Sequence, residues 1–146
     1  MQMRQAQKPV RFMQLGYAAF AFTDPPSMKV STMNLGPSDV AVGVSHSGRT
    51  IATLDAMKLS QEAGAKTVCI TSYPQSSIAL ACDLSLNVYS DEILYPVEAM
   101  SAIIAQMSLI YAITVVLSAK NYEKTLLRAK HARALINSLR LEDRNR

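Results

Sequence analysis

Cysteine and charge are both scarce in this chain of 146 residues. The two cysteines, Cys69 and Cys82, are too few and too far apart for a zinc pattern or a disulfide framework, so they indicate buried thiols of a reducing compartment. Charged residues make up 18% of the chain and hydrophobic residues 49%, which excludes a disordered protein and predicts one domain with a packed core. Neither GxxxxGKS/T nor GxGxxG is found, and the sequence predicts no metal and no cofactor.

The N-terminus also lacks the features of a secretory signal, because Gln2, Arg4 and Lys8 interrupt any apolar run. A cytoplasmic protein is therefore expected. Residues 97–119 form the one apolar stretch long enough to raise a membrane question. Glu98 and several serine, threonine and glutamine residues there would be unfavourable in lipid, and a buried helix of an α/β domain explains the same composition. We expect that buried helix and no membrane partner.

Positive charge is concentrated near the C-terminus, where eight lysines and arginines face three acids from Lys120 onward. A basic tail can attract nucleic acid. However, Lys120, Lys124 and Arg128 follow one another at helical spacing beside several leucines. This pattern favours an amphipathic helix over about residues 120–140 with a solvated basic face.

Short apolar runs alternate along the chain with segments of helical spacing, which predicts an α/β fold with a three-layer, doubly wound parallel sheet of the flavodoxin or Rossmann type. The run VAVGV is continuously apolar, as expected of a parallel strand covered on both faces. The predicted strands are YAAFAF (17–22), VAVGV (40–44), AKTVCIT (65–71) and LSLNVY (84–89), and the predicted helices are Pro9 to Gly16, residues 50–64, a short one begun near Ser76 or Ser77, and a long one from about Pro96, with a possible break at Asn121.

The junction after VAVGV is rich in small hydroxyl residues. Ser45, Ser47 and Thr50 follow the strand within six residues, and Gly48 allows close backbone approach. In parallel sheets, ligands collect where strand C-termini meet helix N-termini, whose unpaired amides and dipole favour an anion. The loop is therefore typical of a phosphate or carboxylate site. Simple helix capping by Ser47 is the alternative. The same rim of the sheet is predicted to carry Thr23, Thr71 and Ser72.

Residues 39–88 resemble the sugar isomerase (SIS) domain, whose hallmark is an S-x-S-G-x-T loop after a parallel strand. The later segments GAKTVCIT, SSIALACD and LSLNV also match the family pattern on the C-terminal side of that loop. The flanks, including RFMQLGYAAFAFTDPP and YEKTLLRAKHARALINSLR, resemble the effector domain of RpiR-type bacterial transcription regulators, so the likeness covers about residues 10–140.

The resemblance implies a phosphosugar-binding site without catalysis. Ile103 stands where related regulators often carry arginine, so the resemblance implies no arginine contact at this position. By the resemblance, the phosphosugar is bound by Ser45, His46, Ser47, Gly48 and Thr50 in the loop, and by Ser101 near the sugar.

The resemblance also implies a single SIS-type domain over residues 1–146 that lacks the first strand and the helix-turn-helix domain of such regulators. On that expectation the chain is a fragment, a reading frame with a wrong start, or a decayed copy. DNA would be contacted only through the helix-turn-helix domain, and loss of a central strand would expose sheet edges and favour a homodimer or higher oligomer.

Three classes of function are compatible with these residues. The first is a sugar-phosphate sensor that biases a regulator's DNA affinity. The second is a sugar-phosphate isomerase, which needs a base, yet Glu62 and Glu92 lie away from the predicted strand ends. The third is a dimerisation module that binds no ligand. The absence of a well-placed carboxylate on the rim favours the sensor.

Overall fold

The computed structural model describes residues 7–89, 100–120 and 122–137. These form two compact units, one within Phe22–Leu109 and one combining the described residues of Met1–Ala21 and Ile110–Arg146. The helices are α1 (Gln7–Gln14), α2 (Pro25–Ser31), α3 (Ile51–Glu62), α4 (Ser77–Ala81), α5 (Met100–Lys120) and α6 (Tyr122–Asn137), with a 3₁₀ turn at Thr32–Asn34, and the strands are β1 (Val40–Val44), β2 (Lys66–Thr71) and β3 (Leu84–Asn87).

The three strands form a parallel sheet in the order β1-β2-β3. Its register places Val42 beside Val68 and Val68 beside Leu84. Helices follow β1 and β2, as parallel connections require. The predicted α/β class with a parallel sheet flanked by helices is therefore confirmed. The sheet has three strands in the described part of the chain, one fewer than the sequence pattern suggests.

The core lies between the sheet and helices α3 and α4. Met57, Cys69, Ile78 and Ala79 form it, with Ile78 only 1% exposed. Gly43 of β1 makes room for this layer, because a Cβ there would lie 2.8 Å from the Met57 sulfur. Burial of these side chains is the main source of stability in the sheet unit.

The opposite face of the sheet is less covered than expected. Val40 and Val42 are 60% and 55% exposed, and Leu84 is 52% exposed. The prediction that VAVGV is a strand covered on both faces is therefore wrong for this chain. The physical reason is that α3 and α4 pack on the side of Gly43 and Cys69, which leaves the alternate residues of β1 towards solvent.

A polar clamp joins the start of β2 to the start of β3. One carboxylate oxygen of Asp83 accepts hydrogen bonds from the Thr67 amide (2.8 Å) and the Thr67 hydroxyl (2.9 Å), and the Asp83 amide donates to that hydroxyl (3.0 Å). The Thr67 amide, and next its hydroxyl, hold the pKa of Asp83 below its usual value. Gln61 of α3 also donates to the Thr67 hydroxyl.

Both thiols are unpaired, as the sequence predicts. Cys69 is fully buried, whereas Cys82 is only partly so. Burial, followed by the neighbouring Cys69 thiol, raises the pKa of Cys82 to about 12. Because the thiolate is the reactive form, the thiol of Cys82 is chemically quiet at neutral pH.

The segment before β1 departs from its prediction. Residues 17–22, predicted as a strand, form no regular element, and Phe20 is 73% exposed. No strand among the described residues pairs with them, and a strand without a ladder partner leaves its backbone groups unsatisfied. Helix α2, which is absent from the predicted helices, begins after Asp24, whose carboxylate accepts from the Ser27 amide at 2.9 Å.

Helix α5 is long and apolar but buries little of itself. Its segment Ser101–Lys120 has a mean hydropathy of 2.0, and 17% of the most apolar window is buried. By length and composition alone it could cross a membrane. Among its described residues, Ala102, Gln106 and Thr114 are buried. Within a single chain, α5 is therefore less buried than the expected core helix, and it presents an apolar surface.

In the second unit, α1 packs against α6. The Arg128 guanidinium donates to the Leu15 carbonyl at 2.8 Å and so satisfies a backbone acceptor just beyond the end of α1. Helix α6 lies within the predicted range of about 120–140 but has no buried residue among those described, so it lacks the buried stripe of the predicted amphipathic helix. The proposed break at Asn121 lies outside the described residues.

Candidate functional site

The serine loop, residues 45–50, connects β1 to α3 and is fastened to the end of β2. The Ser45 amide donates to the Ile70 carbonyl at 3.0 Å, which continues the ladder by one residue. The His46 carbonyl accepts from the Ser72 amide and from the Thr71 hydroxyl, both at 3.0 Å. Parallel strands thus bring Thr71 and Ser72 beside the loop, as the sequence predicts.

Ser45 shapes the loop from the inside. Ser45 is 6% exposed. Its hydroxyl accepts a hydrogen bond from the Gly48 amide at 3.1 Å and contacts the Thr50 hydroxyl at 3.0 Å. Ser47 and Thr50 are exposed by contrast. The three hydroxyl residues that the sequence groups together therefore divide into one buried residue and two exposed residues.

Gly48 is held in a conformation that suits glycine, with φ at +63°. A Cβ at this position would overlap the hydroxyl of Ser76 and lie 3.0 Å from the Thr71 hydroxyl. Ser76 is 7% exposed, and its hydroxyl has no hydrogen-bond partner among the described residues. Sequence reasoning found Ser76 only as a possible start of α4 and missed its position against the loop.

The first turn of α3 is not capped by a side chain. Its N-cap is Thr50, whose hydroxyl makes no capping bond and instead contacts Ser45. The Ser47 hydroxyl accepts from the Arg49 amide at 3.3 Å. The alternative that Ser47 is a simple N-cap is therefore not what the structure shows. The leading amides of this 12-residue helix remain available to an anion near Ser47 and Thr50.

His46 is half-buried and lies against the loop that follows β2. Its Nδ1 is 2.9 Å from the Ser72 hydroxyl, and its ring contacts the Tyr73 ring edge-on. Tyr73 was not identified from the sequence. The only signal in the sequence was its place three residues after Ile70, at the end of a strand beside the serine loop.

One predicted rim residue, Thr23, is exposed and follows no strand, because residues 17–22 form none. Ser101, which the resemblance implies lies near the sugar, is exposed in the first turn of α5. Arg49, in the serine loop, is exposed.

Comparison with known proteins decides the family. The model of the SIS domain family matches residues 10–116, which include β1, the serine loop and α3. The chain belongs to the SIS domain family. This match confirms the resemblance seen in residues 39–88 and extends it over both flanks.

SIS relatives of this chain include bacterial transcription regulators. An HTH-type transcriptional regulator of Caldanaerobacter subterraneus is 34% identical over 113 residues, which cover 77% of this chain and 40% of that protein. The HTH-type transcriptional regulator RpiR of Escherichia coli is 30% identical over 127 residues, covering 87% of this chain and 43% of the regulator. The chain therefore spans less than half the length of these two relatives.

Among solved structures, the NanR protein of Vibrio vulnificus complexed with ManNAc-6P matches with a TM-score of 0.83 at 18% identity. The match covers 94% of this chain and 52% of the NanR chain. The likeness shows that the NanR structure shares the α/β fold of this chain.

Proposed function

We propose that this chain is the phosphosugar-sensing effector domain of an RpiR-type transcription regulator. The serine loop holds the phosphate, with Ser47 and Thr50 as the exposed hydroxyl ligands and the first amides of α3 behind them. Ser45 and Gly48 give the loop its shape. The carrying observation is that no side chain caps the N-terminus of α3, while Ser47 and Thr50 beside it are both exposed residues.

Electrostatics support an anion at this place. The dipole of α3 places partial positive charge at its first turn, and a phosphate there is stabilised without any metal. The charge-assisted bonds from hydroxyls and amides to a dianion are stronger than those between neutral groups. The regulators to which the chain is related support a sensor rather than an enzyme.

His46 lies in the loop between Ser45 and Ser47, and we propose that it contacts the sugar end of the phosphosugar. Ser101 remains a proposed contact of the sugar, carried over from the resemblance alone. No catalytic role is proposed for either residue.

The test is a binding experiment on the whole chain. Isothermal titration calorimetry with N-acetylmannosamine 6-phosphate and with arabinose 5-phosphate identifies the phosphosugar that binds. The double variant Ser47→Ala, Thr50→Ala is expected to weaken that binding at least tenfold, equivalent to about 1.4 kcal/mol. Ser31→Ala is the matched control, since its hydroxyl only donates to the Met28 carbonyl at the end of α2. Unchanged affinity in the double variant would refute the phosphate assignment.

Partners and location follow from the same assignment. We propose that a second copy of the chain covers the apolar surface of α5 and that lipid does not, which makes the sensor a homodimer or higher oligomer in the cytoplasm. DNA is contacted through a helix-turn-helix domain of the kind named in the relatives and not through the described residues of this chain.

A further inference from the structure

His46 is fixed more firmly than a loop residue requires. Its carbonyl accepts two hydrogen bonds from the end of β2, one from the Ser72 amide and one from the Thr71 hydroxyl, each at 3.0 Å. Its imidazole Nδ1 lies 2.9 Å from the Ser72 hydroxyl. Both the backbone and the ring of one residue are therefore tied to a neighbouring strand, so the imidazole has a set orientation beside the serine loop.

Tyr73 adds an aromatic surface to this imidazole. The two ring centroids are 5.7 Å apart with an interplanar angle of 71°, which is the favourable edge-on arrangement. Tyr73 is 51% exposed, so it does not serve the core. Its backbone is nevertheless held, because its amide donates to the Thr71 hydroxyl at 3.3 Å.

Thr71 holds the backbones of both residues beside the serine loop. Thr71 approaches Gly48 from β2 and also anchors His46 and Tyr73, so one hydroxyl links the phosphate side of the loop to the ring pair. A bound phosphosugar has a charged end and a carbon skeleton. Small-molecule sites typically pair a few polar groups that fix orientation with aromatic surfaces that take the apolar part of the ligand.

We infer that Tyr73 is the residue that selects the sugar, packing its ring against the carbon skeleton of the phosphosugar beside His46, and that Ser72 is the positioning residue of the His46 ring. This inference rests on the proposed function, since it needs a phosphate at the serine loop. Tyr73 supplies contact area and a hydroxyl at little cost in side-chain entropy, which suits a selecting residue.

The experiment separates the two ends of the ligand. Calorimetry is run on the full chain with inorganic phosphate, arabinose 5-phosphate and N-acetylmannosamine 6-phosphate. Tyr73→Ala is expected to lower the affinity for the bound sugar phosphate at least tenfold and to leave the affinity for inorganic phosphate within about twofold, which is within about 0.4 kcal/mol. Tyr73→Phe retains the ring and is expected to retain most of the affinity. Thermal unfolding of Tyr73→Ala should match the wild type because the side chain is half exposed.

Ser72 has its own readout. Ser72→Ala is expected to weaken sugar-phosphate binding and to shift the imidazole ¹⁵N resonances of His46, and Ser72→Thr, which keeps the hydroxyl, is expected to restore both. A purely structural role for Ser72 would leave the His46 resonances in place.

Failure of this inference differs from failure of the proposed function. If the Ser47, Thr50 double variant loses sugar-phosphate binding while Tyr73→Ala keeps it, the phosphate site stands and the role of Tyr73 is refuted. If Tyr73→Ala loses inorganic phosphate and sugar phosphate equally, Tyr73 belongs to the phosphate site and selects nothing. If no sugar phosphate binds the wild-type chain, both assignments fall.

Discussion

Gly48 shows how one residue sets the geometry of the serine loop. With φ at +63°, it occupies backbone space that other residues enter at a cost, and Ser76 fills the position that a Cβ would take. We expect Gly48→Ala to lower the free energy of unfolding by about 1–3 kcal/mol, the usual range for a strained backbone. The shifted loop should also lose its phosphosugar affinity.

Gly36→Ala is the matched control for Gly48. Its nearest neighbour would be an Asp39 carboxylate oxygen at 3.9 Å, an ordinary contact, and its φ lies outside the left-handed region. Urea unfolding of both variants measures the difference. Equal stabilities for the two variants would contradict the role assigned to Gly48.

Asp83 is the residue from which a pH dependence of stability is expected. Its pKa is lowered from 3.8 by the two hydrogen bonds of Thr67, so the ionised form is favoured in the folded state. The stabilisation is complete above the unfolded pKa and is lost as pH falls through the lower folded pKa. Asp83→Asn should therefore be less stable than the wild type at neutral pH, with a gap that narrows below about pH 4.

Thermal unfolding across this pH range measures the gap. Asp55→Asn serves as the comparison, since Asp55 forms a surface ion pair with Lys29 in which both side chains are substantially exposed. Stability curves of Asp83→Asn and wild type that run parallel from neutral to acid pH would refute the assignment.

At the scale of elements, the sequence pattern located most helices and strands but not their surroundings. The apolar runs at 40–44 and 65–71 contain the strands β1 and β2, and the helix between them ends at Glu62, two residues before Gly64, whose φ is +90°. Burial could not be predicted in the same way, because the exposure of Val42 depends on which face of the sheet the helices cover. The run at 17–22 has the same apolar pattern and yet forms no strand. A strand needs a second segment to pair with, and the pattern of one segment does not show whether such a partner exists.

The location of the candidate site was predictable from the sequence, but the contacts within it were not. The serine loop carries a local signature, and its position between β1 and α3 follows from it. The different roles of Ser45 and Thr50 depend on a hydroxyl contact within the loop, whereas the contacts of His46 with Ser72 and Tyr73 arise from packing between segments about 26 residues apart. Periodicity encodes neither of these contacts. Helix α2 did carry a readable signal, an aspartate followed by two prolines.

Helix α4 offers a test of how the core is held. Ile78 is 1% exposed and packs with Met57 and Cys69, whereas Leu80 on the same short helix is 70% exposed. Ile78→Ala is expected to cost about 2–5 kcal/mol of unfolding free energy, the usual range for a buried aliphatic residue. Leu80→Ala should change it by less than about 0.5 kcal/mol. Urea denaturation compares the two, and a similar loss in both variants would contradict the described core.

At the scale of the whole molecule, the apolar surface of α5 remains exposed to solvent in a single chain. Val115 and Val116 are 66% and 56% exposed on a helix whose mean hydropathy is 2.0. Large exposed apolar patches mark interaction sites, and a stable protein interface buries on the order of 1,200–2,000 Å² in total. A two-fold pair of α5 helices would bury the same patch on both copies, which is the usual symmetry of soluble oligomers.

The pair Val115→Lys, Val116→Lys tests this assembly, because two charges in the centre of an apolar interface would have to be desolvated on association. We expect light scattering of the wild-type chain to give the mass of a dimer or larger, and the double variant to dissociate at least ten times more readily. Val30→Lys is the control, since Val30 is 61% exposed on α2. A monomeric wild-type chain would refute the assembly. Sedimentation with phosphatidylcholine vesicles gives a second check. If the wild-type chain sediments with the vesicles and the double variant does not, lipid covers α5 and the assembly is refuted.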